Sequence, residues 1–310
     1  MNQSDPIPGI KFDPVNQGVQ VIHADSWRSF SRLVEQQYSD GRAFIFRGQA
    51  NPESPLLSSW DRLVKKRSPM RIKIDGSIGD YPICSGHRKK QLKAFQELAR
   101  GVLKANELPE TNQEFNWWAL AQHHGLATPL LDWTYHPYVA LYFAFEEEFC
   151  INSKNELIKP ESRVIYAASS RILSKTQKEL EPEKVSVFVP GGICINRRVA
   201  QGGVLMYMPA GQDLEGYVRK QYHDETYNED DGSQPLKLHP MAIFHKIIIK
   251  CINDNNGLGE RVSCQKWLDT AGVNRARLFP DIDGAARSVN NLWELGFDTS
   301  IGFLTLDDEP

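Results

Sequence analysis

Trp117-Trp118-Ala-Leu-Ala-Gln122-His123-His124-Gly125-Leu126-Ala127-Thr128-Pro129-Leu130-Leu131-Asp132-Trp133-Thr134-Tyr135-His136-Pro137 is the stretch on which the fold turns. Ahead of it, Glu114 to Gln122 reads as a helix, with Phe115, Trp118, Leu120 and Ala121 as buried positions. Gly125 suits the stop of that helix. Behind it, Pro137 suits a first helical turn, where its missing N–H is not needed, and His136 falls just outside. The second helix runs through Val139, Ala140, Phe143 and Ala144. It is apolar on most sides and is therefore expected to be buried. A polar, turn-rich segment between two core helices is where sites are usually built.

Working outward, Asp25 or Ser26 can cap a helix to about Tyr38, with Trp27, Phe30, Leu33 and Val34 on one apolar face. Ala43 to Phe46 reads as a strand that delivers Arg47-Gly48-Gln49 at its end. Residues 68–85 read as a loop. His87 to Lys104 reads as a helix with Leu92, Phe95, Leu98 and Val102 inward. Glu146 to Glu148 lie late in the helix that follows Pro137, where negative charge opposes the dipole, so they read as a solvated helix end. Beyond residue 161, the stretches 163–167, 185–189, 204–208 and 244–250 read as strands. By that reading the second half supplies most of the sheet. Residues 210–238 form a polar insertion. Helices near 258–270 and 284–295 bracket Leu278-Phe-Pro-Asp-Ile-Asp-Gly284. The expectation is one α+β domain over residues 21–300 with helical decoration, after a loosely ordered lead-in over residues 1–20.

The chain has 310 residues and a net charge of −3, so its charge balance does not announce nucleic acid or an anionic membrane. It has no apolar run of about eighteen residues, and no membrane partner is expected. The N-terminus lacks a basic region followed by an apolar one, so it does not read as a signal peptide. Five cysteines, none in a Cys-x-x-Cys pair, fit a reducing, cytoplasmic setting.

The candidate chemistry lies in four places. Arg47 carries a fixed fork of donors suited to phosphate or ribose oxygens, or pairs with an internal acid such as Asp132. Gly48 would let a ligand approach the backbone. His123 and His124 are adjacent and would face different ways on a helix; no ligand spacing accompanies them, so no metal is expected and His124 reads as a hydrogen-bonding site residue. Asp132 follows Leu130-Leu131 and reads as a buried carboxylate that must be paired, with Arg47, His124 or loop N–H groups as partners. Thr134 can cap the following helix. Trp117, Trp118 and Trp133 read as core. Gln201, before Gly202-Gly203, can both donate and accept, which suits a ribose diol, or is a polar residue in a glycine-rich turn. No Gly-x-Ser-x-Gly, phosphate loop or dinucleotide fingerprint is present.

At these residues the chain resembles the FRG-domain family, named for a Phe/Tyr-Arg-Gly motif that stands here as Phe46-Arg47-Gly48-Gln49. The second motif is matched by Gln122-His123-His124-Gly125, Thr128, Leu130 to Thr134, Pro137 and Ala140 to Ala144. Arg197, Gln201 and Gly203 match a third, and residues 278–284 a fourth. Pro129 departs from the pattern, in which an arginine commonly follows the threonine. A weaker resemblance runs to ADP-ribosyltransferases of the arginine-serine-glutamate type. It implies a mixed or antiparallel sheet and an enzyme using NAD or a nucleotide as substrate, in the setting of bacterial antiviral defence or a toxin effector. By that likeness Arg47, His124, Asp132 and Gln201 are the candidate catalytic residues, and Gly48, Gln49, Thr128 and Thr134 the candidate ligand contacts. Gln201 would stand where the family's glutamate stabilises positive charge. A neutral amide keeps the hydrogen bond and loses the charge, at a cost of roughly a hundredfold or more in rate. Either Asp132 or Glu215 then supplies it, or the chemistry differs, or the domain only binds.

Two further readings remain open on sequence. One is a non-catalytic module that binds a nucleotide or a protein, which the neutral Gln201 favours. The other is a metal-dependent nuclease built on His123, His124 and Asp132, with Lys65-Lys66-Arg67 or Arg88-Lys89-Lys90 as a basic face. The transferase reading requires Arg47, His124, Thr134 and Gln201 to converge on one cleft.

Overall fold

An eight-stranded mixed sheet carries the fold, in the order β1-β2-β12-β9-β3-β6-β11-β10. The strands are β1 (Ile10–Phe12), β2 (Val19–Ala24), β3 (Phe44–Gln49), β6 (Leu130–Thr134), β9 (Ser162–Ser169), β10 (Ser186–Phe188), β11 (Gly203–Tyr207) and β12 (Phe244–Lys250). Two short hairpins, β4 (Arg71–Ile72) with β5 (Ile78–Gly79) and β7 (Cys150–Ile151) with β8 (Leu157–Ile158), lie outside it. The computed structural model describes residues 6–39, 44–67, 71–72, 78–79, 85–152, 154, 156–169, 184–191, 199–222, 242–251 and 259–295. Neighbouring strands in the main sheet pair antiparallel except β2 with β12, which pair parallel. The chain is thus α+β on a mixed, mostly antiparallel sheet, as its sequence led us to expect.

Four sheet strands, β1, β2, β3 and β6, come from the first half of the chain. The expectation that the second half supplies most of the sheet is therefore corrected. The early strands are short and set among turn residues, so their alternation is brief. Within the lead-in, β1 pairs with β2, and Ile7, Phe12 and Val15 are buried.

The helices are α1 (Trp27–Gln37), α2 (Ser59–Arg67), α3 (Ser85–Arg100), α4 (Glu114–His123) and α5 (Pro137–Phe145), followed by Leu214–Gln221, Glu260–Thr270, Arg275–Leu278 and Ile282–Glu294. Ser26 caps α1 by accepting the Ser29 N–H. Gly125, with φ +84°, ends α4, and Pro137 opens α5, both as read from sequence. Trp117, Trp118 and Trp133 are core. In α3, Leu92 is buried but Leu98 is 74% exposed, and Val102, beyond the end of the helix, is 84% exposed. That is a correction: α3 ends at Arg100, two residues short of Val102, and in its last turn it is Ala99 that packs into the core with Trp117 and Trp118.

Two layers cover one face of the sheet. Helices α1, α5 and Glu260–Thr270 bury Phe46, Ile165, Ala167, Ile247 and Ile249 on one side. Helices α3 and α4 bury Leu130 and Tyr207 on the other. Leu131, Trp133, Val204 and Met206 point to the opposite face, under Leu214 and Val218. The gap between the two covers lies over β6 and β11.

One buried pair gives the fold a pH dependence. The Tyr38 hydroxyl and His245 Nδ1 are 2.6 Å apart, and both side chains are buried. Burial pushes the His245 imidazole down to about 3, against about 6.5 in an unfolded chain. The unfolded state therefore takes up this proton first as pH falls. Stability from this source is complete above about pH 6.5 and declines towards pH 3, by at most about 1.4 kcal/mol per pH unit. Urea unfolding at about pH 7 and about pH 5 measures the slope. His245→Phe is expected to flatten it; an unchanged slope would assign the dependence to other groups.

Candidate functional site

The register between β3 and β6 creates the site. β3 pairs with β9 along its whole length, and β6 with β11 along its whole length. Between β3 and β6 the ladder holds only Phe46 opposite Thr134. The sheet therefore splits beyond Phe46, where the FRG motif follows. Antiparallel partners share a face, so Phe46, Thr134 and Gly203 point the same way, and Asp132 shares that face with its partner Leu205. These residues lie at the gap between α5 and α4, where a cleft of about 570 Å³ opens.

Arg47 reaches across the split. Its Nη1 donates to the backbone carbonyl of Asp132 at 2.7 Å, in place of the missing ladder bond. Pairing with the Asp132 carboxylate, one of the two readings of Arg47, is not what forms. Nε of Arg47 is buried and has no acceptor. Burial lowers the pKa of this guanidinium, the Asp132 charge opposes that shift, and Arg62 adds to it. A half-buried cation without an anionic partner among the described residues is a standing attraction for an anion.

Asp132 was expected to be buried; instead it is exposed on the cleft floor. Its Oδ1 accepts from Gln122 Nε2 at 2.7 Å. Gln122 Oε1 in turn accepts from the Thr128 hydroxyl. Thr128 is fully buried, and its N–H donates to Ser59 Oγ at 2.9 Å. Thr128 thus does not line the cleft but stands behind it, fixing Gln122, which orients the carboxylate. Such outer partners hold a reactive group in one geometry.

The other site residues divide in the same way. Gly48 lines the cleft, but its missing side chain serves α5: a Cβ there would lie 1.8 Å from the Ala140 carbonyl oxygen. Gln49 also lines it, and its Nε2 holds the following loop through Asn51 O and Ser54 O, at 3.2 and 2.8 Å. The Thr134 hydroxyl donates to Gln201 O at 2.6 Å and accepts the His136 N–H, steadying the entry to α5. Gln201 lines the cleft, with its Nε2 donating to Leu278 O at 3.0 Å, so it ties the third motif to the fourth. Arg197 lies outside the described residues.

His124 is displaced from the expected arrangement. It is exposed at the end of α4 and does not line the cleft, whereas His123 does. Adjacent helical positions point apart, and α4 runs to His123, which fixes which ring faces in. Glu215 is also remote: it pairs with Arg219 at 2.9 Å and Lys246 at 3.3 Å and does not line the cleft. Sequence reasoning missed Phe143, Glu147 and Phe279, which do line it. The signal for Phe143 was present, since Ala140 and Phe143 recur at helical spacing on one face of α5. The Phe143 and Phe279 rings meet edge to face, with centroids 6.0 Å apart, and the Arg275 guanidinium backs Phe279 at 4.9 Å.

A smaller cavity of about 440 Å³ at the β1 edge is lined by Lys11, His23, Asp25 and Lys250. Its charges are met locally, Lys250 by Asp25 at 3.1 Å and His23 by Asp13 at 3.0 Å. Among the described residues, no helix is long and apolar enough to cross a membrane.

No curated protein and no solved structure matches the chain. A family model described as the FRG domain does match, over residues 42–152. That interval holds Arg47, Gln122, Thr128, Asp132, Thr134 and Glu147, so the split in the sheet, the carboxylate relay and the α5 wall all fall inside it. Gln201 and Phe279 fall beyond it. Over residues 42–152, from just before β3 to just past β7, the chain is similar to the FRG domain.

Proposed function

We propose that the cleft binds NAD or a related nucleotide and that the protein is an ADP-ribosyltransferase-like enzyme acting on the bond between ribose and base. The observation that carries this reading is the Thr128–Gln122–Asp132 chain of hydrogen bonds, which aims a carboxylate into the same cleft as the unpaired Arg47. Arg47 would hold phosphate oxygens, for which a guanidinium fork is well shaped. Asp132 would stabilise positive charge developing at the anomeric carbon, the task that a neutral Gln201 performs poorly. Phe143 and Phe279 offer apolar faces to a flat ring. Loss of NAD through such an activity would suit the antiviral or toxin setting that the family likeness implies.

Incubation with NAD, following nicotinamide release, tests this. Wild type is expected to release nicotinamide. Arg47→Ala is expected to lower kcat/KM by roughly a hundredfold or more, the scale of losing a charged stabiliser. Equal turnover by the variant would remove Arg47 from the site.

The second reading, a nucleotide-binding module without turnover, is favoured by one observation: the Gln201 amide nitrogen is already engaged by Leu278 O. NAD binding in calorimetry without nicotinamide release would establish it. The nuclease reading has less support. No group of three His, Cys, Asp or Glu among the described residues is placed to hold a metal ion. Arg88, part of its basic face, is buried against Asp61.

A further inference from the structure

Three consecutive acids, Glu146 to Glu148, follow the last residue of α5, and they do not share one fate. Glu146 pairs with Arg275, and Glu148 pairs with Lys159 at 3.2 Å. Glu147 alone of the three lines the cleft. Its side chain is exposed there, with no ion pair or side-chain hydrogen bond among the described residues.

The backbone beneath Glu147 is held firmly. Arg163, which is 2% exposed, enters from β9 and donates through Nη1 to Ala144 O at 2.8 Å and Glu147 O at 2.6 Å. Its Nη2 donates to Glu148 O at 3.3 Å. Ala144 O is one of the carbonyls left unpaired at the C-terminus of α5, and Glu147 O and Glu148 O belong to the segment that follows it. One buried guanidinium thus ties the end of α5 to the two residues that carry the acids after it. The backbone that carries Glu147, just past the end of α5, is thereby fixed at the cleft wall, while Asp132 lies on the β6 floor of the same cleft.

We propose that Glu147 is the general base that activates a water molecule in this cleft, making water the acceptor and the reaction a hydrolysis. The inference rests on the NAD reading given above. The ribose–nicotinamide bond breaks and its electron pair leaves on the ring nitrogen, which neutralises the pyridinium. The water oxygen forms the new bond to the anomeric carbon. Its proton passes to Glu147 and then to solvent. The products are nicotinamide, ADP-ribose and one proton. Asp132, held by Gln122, carries the charge stabilisation, and Glu147 carries the proton.

The test compares wild type, Glu147→Gln and Glu147→Asp with NAD, following nicotinamide and ADP-ribose, with NAD binding by calorimetry and thermal melting as the check on folding. Glu147→Gln is expected to lower kcat by about 10²- to 10⁴-fold, the range for losing a general base. NAD affinity and the melting temperature should change little, and the acid limb of the pH profile should disappear. Added azide, a nucleophile that needs no base, should restore nicotinamide release and give an azido-ribosyl product. Glu147→Asp should retain part of the activity. Full activity in Glu147→Gln, or a deficit that azide leaves untouched, would overturn the role of Glu147 and leave the NAD reading standing. Wild type that neither binds nor cleaves NAD would overturn that reading and this inference together.

Discussion

Asp61→Ala is expected to destabilise the protein by about 3–5 kcal/mol, the scale of stranding one member of a buried ion pair. Asp61 and Arg88 are both essentially unexposed. Arg88 Nη2 donates to both carboxylate oxygens at 2.9 Å, and Arg88 Nη1 donates to Met208 O at 2.6 Å. The carboxylate also accepts from the Ser58 hydroxyl at 2.8 Å and the Gly211 N–H at 3.3 Å. Removing it leaves a guanidinium in the interior with its charge unmet, along with two further donors. Helix α2 begins beside Thr128, with Trp60 N–H donating to Thr128 O at 3.1 Å, so the relay behind Asp132 should loosen as well. Urea unfolding measures the loss. Replacing both partners, as Asp61→Leu with Arg88→Met, should recover most of it, because the desolvation of both charges is then also removed. A single-variant loss below about 1 kcal/mol would mean that water or another acceptor reaches Arg88.

Gly48→Ala is expected to cost about 3 kcal/mol or more, at the upper end of overpacking effects. The new methyl would lie 1.8 Å from Ala140 O and 2.7 Å from Ala144 N. Both are helix backbone, so no side-chain rotation relieves the clash, and either β3 or α5 must move. A melting temperature lower by roughly 6–12 °C corresponds to that cost. Moving β3 also carries Arg47 away from the Asp132 carbonyl, so ligand affinity should fall with stability. An unchanged melting temperature would show that β3 and α5 approach each other less closely than this. Sequence alone suggested that Gly48 made room for a ligand, but the room it makes is taken by α5. A glycine reports that something comes close without saying what.

The local elements of the site were legible because their causes are local. Gly125 and Pro137 bracket the segment through backbone preferences that act within a turn. The run through Val139, Ala140, Phe143 and Ala144 is apolar on most sides, and α5 is buried accordingly. The four motifs were visible as residue types in order. What they do to one another was not. Thr128 read as a ligand contact only through the ADP-ribosyltransferase likeness, and a threonine in a polar segment can serve either side of a wall. Only the position of Gln122 one helix away, and of Ser59 much earlier in the chain, turns it inward. His123 and His124 differ by one position on α4, and where that helix stops decides which ring faces the cleft. Glu147 could not be separated from Glu146 and Glu148 on sequence, because their partners Arg275 and Lys159 arrive from distant segments.

An α+β fold, with a Phe-Arg-Gly strand and an Asp-bearing strand as parts of one family pattern, follows from the residues alone. Periodicity, caps and motif residues act over a few positions, and they survive without a structure. The tertiary structure alone decided that β3 and β6 meet at a single pair and then part, so that Arg47 crosses an open split and Asp132 faces solvent. Strand register depends on contacts between residues far apart in the chain, and a shift of one position would turn every side chain to the other face.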